Sequence, residues 1–204
     1  MTYNEILNLA LTYADRSDSE VTDRMDDFLK MVESRVNRKL DIQKMAVRSQ
    51  VFSVADKEYY GLPTDFKAIR DIEISDLEGG NRITLEYLTP EQMNAKSGTT
   101  IIDVAYYTII ADQFQIYPAQ TEKILEIVYY QQVPPLTSTE PENWLTSQSP
   151  DCYVFGLMVE INAFVKDAEV SMLWDGRFTA CLDELDIQDA VSRWSGTPMQ
   201  MRIG

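Results

Sequence analysis

Residues 99–135 read TTIIDVAYYTIIADQFQIYPAQTEKILEIVYYQQVPP, a stretch in which β-branched and aromatic residues crowd between turn signals. Its pattern predicts strands over Val104–Ile109 and Phe114–Tyr117, joined by a tight link at Ala111, Asp112 and Gln113. A third and longest strand follows over Ile124–Gln132 after the turn at Gln120–Glu122. Together these form an expected β-meander. Alternation sends Tyr106 and Tyr107, and likewise Tyr129 and Tyr130, to opposite faces, so one of each pair packs inward while the other meets solvent or a partner. Cross-strand packing and an aromatic-rich protein interface are the two readings of these tyrosines.

Working upstream, Thr89, Pro90 and Glu91 supply an N-cap, a first-turn proline and a first-turn acid for a short helix reaching Lys96 and closed by Gly98. Before it, Ile69–Ile74 and Arg82–Leu88 read as a hairpin around Gly79 and Gly80, with no GK[ST] to make the glycines a phosphate loop. Pro63 in LPTDF, Leu62–Phe66, holds Leu62 extended ahead of the first of these runs. Further strand signals surround Val47, Val51, Tyr59 and Tyr60.

Helical periods flank this region. Thr2 with Glu5 forms a capping box for a first helix of about 12 residues. A second box, Ser17 with Glu20, opens a helix whose apolar stripe runs from Val21 through Met25, Phe28, Leu29, Val32 and Val36 to Leu40. On the C-terminal side Trp144 and Leu145 anchor the connection. Ser149 and Pro150 then start a helix buried through Tyr153, Leu157, Met158, Ile161, Phe164 and Val165. A break at Lys166 and Asp167 leads to an antiparallel helix with Val170, Leu173, Trp174, Phe178, Cys181, Leu182 and Leu185 on its apolar side. Gly176 within it suggests a close contact.

The fold class is therefore α+β: a helical bundle from the N- and C-terminal segments, an inserted antiparallel β-lobe and a short extended tail. The boundaries are 1–45 with 140–193 for the helical domain, 46–139 for the β-rich lobe and 194–204 for the tail. That tail carries Met199, Met201, Arg202 and Ile203, apolar enough to dock on a partner, for instance as a strand added to a sheet edge, or else to fray. Tyr106, Tyr107, Tyr129 and Tyr130 join these four as candidate protein-interface residues.

Composition narrows the chemistry. The 33 acidic against 18 basic residues give a net charge of -15, which disfavours tight phosphate-backbone binding but suits a wall that a polyanion slides past. With no histidine among 204 residues, Ser-His and Cys-His nucleophile arrangements are impossible. The acid groups Asp26 with Asp27, and Asp183, Glu184, Asp186 and Asp189, read as hydrated helix positions. No catalytic residue, metal site or cofactor is expected. Cys152 and Cys181 fit no zinc spacing and are expected as reduced, buried thiols. The first residues lack a signal peptide and no stretch is long and apolar enough for a membrane span, so a soluble, cytoplasmic product is expected.

The order of elements carries a resemblance. Leu62, Pro63, Asp65 and Phe66 stand before a strand, and Ile116 and Pro118 close another. Ile127, Tyr129 and Tyr130 lie in the next, and Trp144 and Tyr153 lead the helix pair. In this order, over nearly its whole length, the chain resembles the head-to-tail adaptor (connector) proteins of tailed bacteriophages. The resemblance implies a structural virion protein without catalytic residues. Such a protein forms a homo-oligomeric ring, commonly twelvefold, beneath the portal protein and offers an attachment site to tail or nozzle proteins. Double-stranded DNA would pass without specific binding. The protein would be assembled in the host cytoplasm, with no membrane involved, and its tail resembles adaptor tails that order against the portal. A nozzle or tail-completion subunit is the competing structural reading, and a small-ligand or enzymatic domain the more distant one.

Overall fold

The computed structural model describes residues 1–77, 80, 82–96 and 105–194. By their contacts they form two compact units, one from Met1–Lys44 with Val133–Gly204 and the other Met45–Gln132. The class is α+β. The tail residues Met199, Met201, Arg202 and Ile203, together with Gly98 and the first part of the 99–135 stretch, lie outside the described residues.

Helix α1 (Tyr3–Ala14) begins with the expected capping box: Thr2 Oγ1 accepts from the Glu5 N–H, and Glu5 Oε2 accepts from the Thr2 N–H at 2.9 Å. The expected second helix is instead two, a single turn α2 (Ser19–Thr22) and then α3 (Met25–Lys39). Asp18, not Ser17, is the N-cap of α2, and no side chain caps it. The ladder breaks where Arg24 takes φ -110° and ψ 2°. Just before it lie Thr22 and Asp23, residue types whose side chains compete for helix backbone groups or crowd the preceding turn. The apolar stripe survives the break: Val21, Met25, Phe28, Leu29, Val32 and Val36 are all buried.

After a 3-10 turn at Gln43–Met45 the chain enters the β unit: β1 (Ala46–Phe52), β2 (Tyr59–Gly61), β3 (Phe66–Asp76), β4 (Arg82–Thr84), β5 (Glu86–Tyr87), α4 (Pro90–Lys96), β6 (Tyr106–Ile110), β7 (Gln113–Tyr117) and β8 (Lys123–Gln131). The strands form two sheets, β1-β8-β3-β4 and β2-β7-β6-β5, antiparallel except where β5 runs parallel to β6. The expected meander is thus corrected. β6 and β7 form a hairpin, but β8 leaves for the other sheet, because the free edge of β7 is already taken by β2 through Tyr60↔Phe114. β8 pairs on both sides instead, with β1 and with β3. Pro118, lacking an N–H, ends the β7 ladder before the crossover. The longest strand is β3, with 11 residues against 9 for β8. Both sheets feed one core, in which Ile72, Leu125 and Ile127 from one meet Phe114, Ile116 and Tyr60 from the other.

The chain closes with α5 (Trp144–Gln148), α6 (Pro150–Phe164) and α7 (Ala168–Trp194). Pro150 occupies the first turn of α6, and Lys166, in the left-handed region at φ 66°, reverses the chain into α7. Leu145 is buried beside a half-buried Trp144. Phe164 and Leu173, expected in the buried stripes, are exposed. The packing of α6 on α7 also corrects the cysteines: Cys152 and Cys181 are joined as a disulfide with their Cα atoms 5.8 Å apart. An antiparallel pair with a short connection brings positions 29 apart face to face, which spacing alone does not reveal. The glycine inference is corrected too. A Cβ at Gly176 would meet nothing within 4 Å, whereas one at Gly156 would fall 2.6 Å from Val32 Cγ1, so Gly156 is what lets α3 and α6 approach.

Candidate interaction surfaces

The paired tyrosines split as alternation requires. Tyr107 and Tyr129 are core residues, 8% and 5% exposed. Tyr107 meets Tyr87 edge-on with ring centroids 5.5 Å apart. Tyr129 packs against Phe66 and donates to Asp65 Oδ1 at 3.0 Å. Burial, then the Asp65 carboxylate, push its phenol up to about 12. Little of either side chain is left for another molecule to touch. Tyr106 and Tyr130 remain partly open, but on different sheets. Tyr106 stands opposite Tyr117, with the Lys96 ammonium of α4 4.9 Å above its ring. Tyr130 is flanked in register by Ala46 of β1 and Ala68 of β3, two small neighbours beside a large ring. The structure therefore does not gather the four tyrosines into one patch.

On the face of the first sheet that carries Tyr130, register also aligns Gln50, Glu126, Glu73 and Thr84 in one row across four strands. Glu126 is buried even though it points away from the core. Its carboxylate accepts from Gln50 Nε2 at 2.8 Å, pairs with Arg48 at 3.0 Å and with Arg82 at 3.2 Å, and Arg82 also reaches Glu73 at 3.0 Å. The Gln50 hydrogen bond and the two guanidiniums hold the Glu126 carboxyl below the usual carboxylate range. The sequence signal for this cluster is an acid in the middle of the apolar run ILEIVYY.

In the helical unit, Glu33 and Asn37, one turn apart on α3, hold the incoming chain. Glu33 Oε1 accepts from the Leu136 N–H and Asn37 Oδ1 from the Val133 N–H, both at 2.7 Å. The side chain of Asn143 donates to the Pro134 carbonyl and to Tyr153 Oη, at 2.8 Å each. Three of these bonds, to the Val133 and Leu136 N–H groups and the Pro134 carbonyl, satisfy backbone groups in a segment whose two prolines interrupt any ladder. Burial raises the Glu33 carboxyl above its ordinary value.

Three of the acids in the two clusters are tied into structure. Asp26 accepts from Tyr3 Oη, Asp183 pairs with Lys39 at 2.9 Å, and Asp189 accepts from the Gln43 N–H at 2.8 Å and pairs with Arg193 at 2.6 Å. Among the described residues, one group has metal-ligand types in reach of one another, Asp151 with Cys152 and Cys181, but its two sulfurs are bound to each other. Among the described residues, no helix is long and apolar enough to cross a membrane.

Against known families, residues 1–202 match the family model described as SU10 adaptor protein. No curated protein matches the chain.

Proposed function

The chain belongs to the SU10 adaptor protein family, a family of phage head-to-tail adaptors, and from that premise we propose that it forms a ring beneath the portal, extends the DNA channel and presents an attachment site to tail or nozzle proteins. It is a structural phage protein with a place in the virion. The observation that carries the proposal is the extent of the match, which spans both compact units rather than one.

Two properties support the finer reading. A closed ring needs two different complementary patches per subunit, and exposed large apolar side chains are available to build them, Met31, Ile187 and Val191 on the helical unit and Phe52, Tyr59 and Tyr87 on the β unit. The 33 acids against 18 bases suit a channel wall from which DNA is repelled rather than held. In this reading Tyr106 and Tyr130 serve contacts between proteins, as do Met199, Met201, Arg202 and Ile203 of the tail, and Tyr107 and Tyr129 support them from the core.

The test is to mix the purified chain with the portal of the same particle and examine the product by native mass spectrometry and electron microscopy. A ring of adaptor subunits on the portal is the expected product. A chain that stays monomeric and ignores the portal overturns the proposal, and one that binds a tail protein but never the portal makes it a tail subunit.

A further inference from the structure

In the helical unit, α3 and the C-terminal end of α6 enclose an open groove of about 710 Å³. Its apolar floor includes Phe28, Met31 and Phe164, and Arg24, Lys30, Arg35 and Arg38 line it against only two acids, Asp27 and Glu160. Four cations to two acids inverts the balance of the whole chain, where acids outnumber bases 33 to 18. Arg35 is engaged by Asp175 and Glu160. Arg24 lies over the Phe164 ring at 5.5 Å and Arg38 donates to Ser34, and both of these guanidiniums are exposed. At 1.5 Å per residue they mark a cationic edge about 21 Å long.

The same unit carries a surface of opposite character. One side of α7 runs through Leu173, Gly176, Ala180, Glu184, Ile187 and Val191, positions three or four apart, all of them exposed. Leu173, Ile187 and Val191 are 57%, 63% and 64% exposed, an apolar stripe about 27 Å long. Nothing lies within 4 Å of a Cβ built at Gly176, so its small size serves no contact inside the subunit. Of the acids towards its C-terminal end, Glu184 lies exposed on the stripe itself, whereas Asp183 is paired with Lys39, and Asp189 with Arg193 and the Gln43 N–H, inside the subunit.

We infer that the α7 stripe of one copy docks in the α3–α6 groove of the next, apolar stripe on apolar floor and the exposed Glu184 carboxylate against the cationic edge. The inference rests on the ring reading above and deepens it by naming the two patches. A second copy is the fitting occupant because groove and stripe are alike in apolar character and opposite in charge, the stripe is long enough to span the cationic edge, and the two share no residue. Such a contact is head-to-tail, the type that can close by rotation.

The test uses the full-length chain, alone and with the portal, and reads the adaptor oligomer by native mass spectrometry. Arg38→Glu and Glu184→Arg, both exposed, are each expected to lower the oligomer fraction at least about tenfold, and the double variant to restore most of it through the exchanged charge pair. Ile187→Ser, which removes apolar area without adding charge, should weaken assembly with an unchanged melting temperature. Single variants that assemble like the wild type overturn the inference, as does a double variant no better than either single. A variant that loses portal binding while its oligomer stays intact also overturns it, by assigning the groove to the portal. A wild-type chain that forms no oligomer under either condition overturns the ring reading itself, and the inference with it.

Discussion

Glu73 of β3 and Glu126 of β8 stand directly opposite one another in the sheet register, and the Arg82 guanidinium reaches both, at 3.0 and 3.2 Å. Like charges in that position repel, and the bridging cation from β4 offsets that repulsion together with Arg48 and Gln50, which hold Glu126 from β1. Replacing it by Arg82→Met should lower the denaturation midpoint of the β unit, and only modestly, because Arg82 is itself half exposed. Glu73→Gln in the same background should recover most of the loss in a chemical denaturation series.

The two buried carboxyls respond to pH in opposite senses. Glu126 is held below its ordinary range, so its contribution to stability is complete above about pH 4.3 and disappears as pH falls through its folded value. Glu33 is raised by burial, so its effect is most favourable at low pH and is lost as pH rises from about 4.3 through its folded value. Unfolding measured from pH 3 to pH 7, at roughly half-unit steps, should therefore show a shallower acid loss in Glu126→Gln. In Glu33→Gln the decline towards neutrality should be reduced. Identical pH slopes in wild type and both variants would contradict the assignment.

Two glycines in adjacent helices should behave oppositely when changed to alanine. At Gly156 the new methyl would press on the stiff side chain of Val32 at 2.6 and 2.9 Å, and on Phe178 at 3.3 Å, costing about 1–3 kcal/mol as overpacking. At Gly176 it meets open space, and helix propensity alone should add up to about 1 kcal/mol of stability. A pair of thermal melts distinguishes them by sign.

Cys152 and Cys181 should titrate as no free thiols in the denatured, unreduced chain and as two after reduction. Closing a loop of this length limits the unfolded chain, so reduction should lower stability by about 3–4 kcal/mol in the chain-entropy estimate. The double Cys→Ala variant should melt like the reduced wild type, with no further response to reductant.

Removing Thr197–Gly204 should weaken ring assembly while leaving the melting temperature of the chain nearly unchanged. A large fall in melting temperature would instead make the tail part of the folded core.

What could be read from the residues was governed by local physics. The Thr2–Glu5 box, Pro150 at the start of α6, the reversal near Lys166 and the split of Tyr106 from Tyr107 and of Tyr129 from Tyr130 all follow from interactions within a few positions. Each was legible without a structure. The candidate surfaces were legible only in part. Alternation marked Tyr106 and Tyr130 as outward, yet not that they lie on separate sheets, and nothing in the pattern joined Arg24 and Arg38 to Phe164.

By itself, then, the sequence determined the α+β class, the periodicity of its helices and strands, the absence of histidine chemistry and an acid-rich composition. Its element order also pointed to the adaptor family. Tertiary structure alone decided which strand pairs with which, that β8 crosses to the second sheet rather than extending a meander, that Cys152 meets Cys181, and that Gly156 rather than Gly176 is the point of close approach. The physical reason is common to all four. Each depends on competition among groups tens of residues apart for one edge or one contact, and a local period carries no information about which competitor prevails.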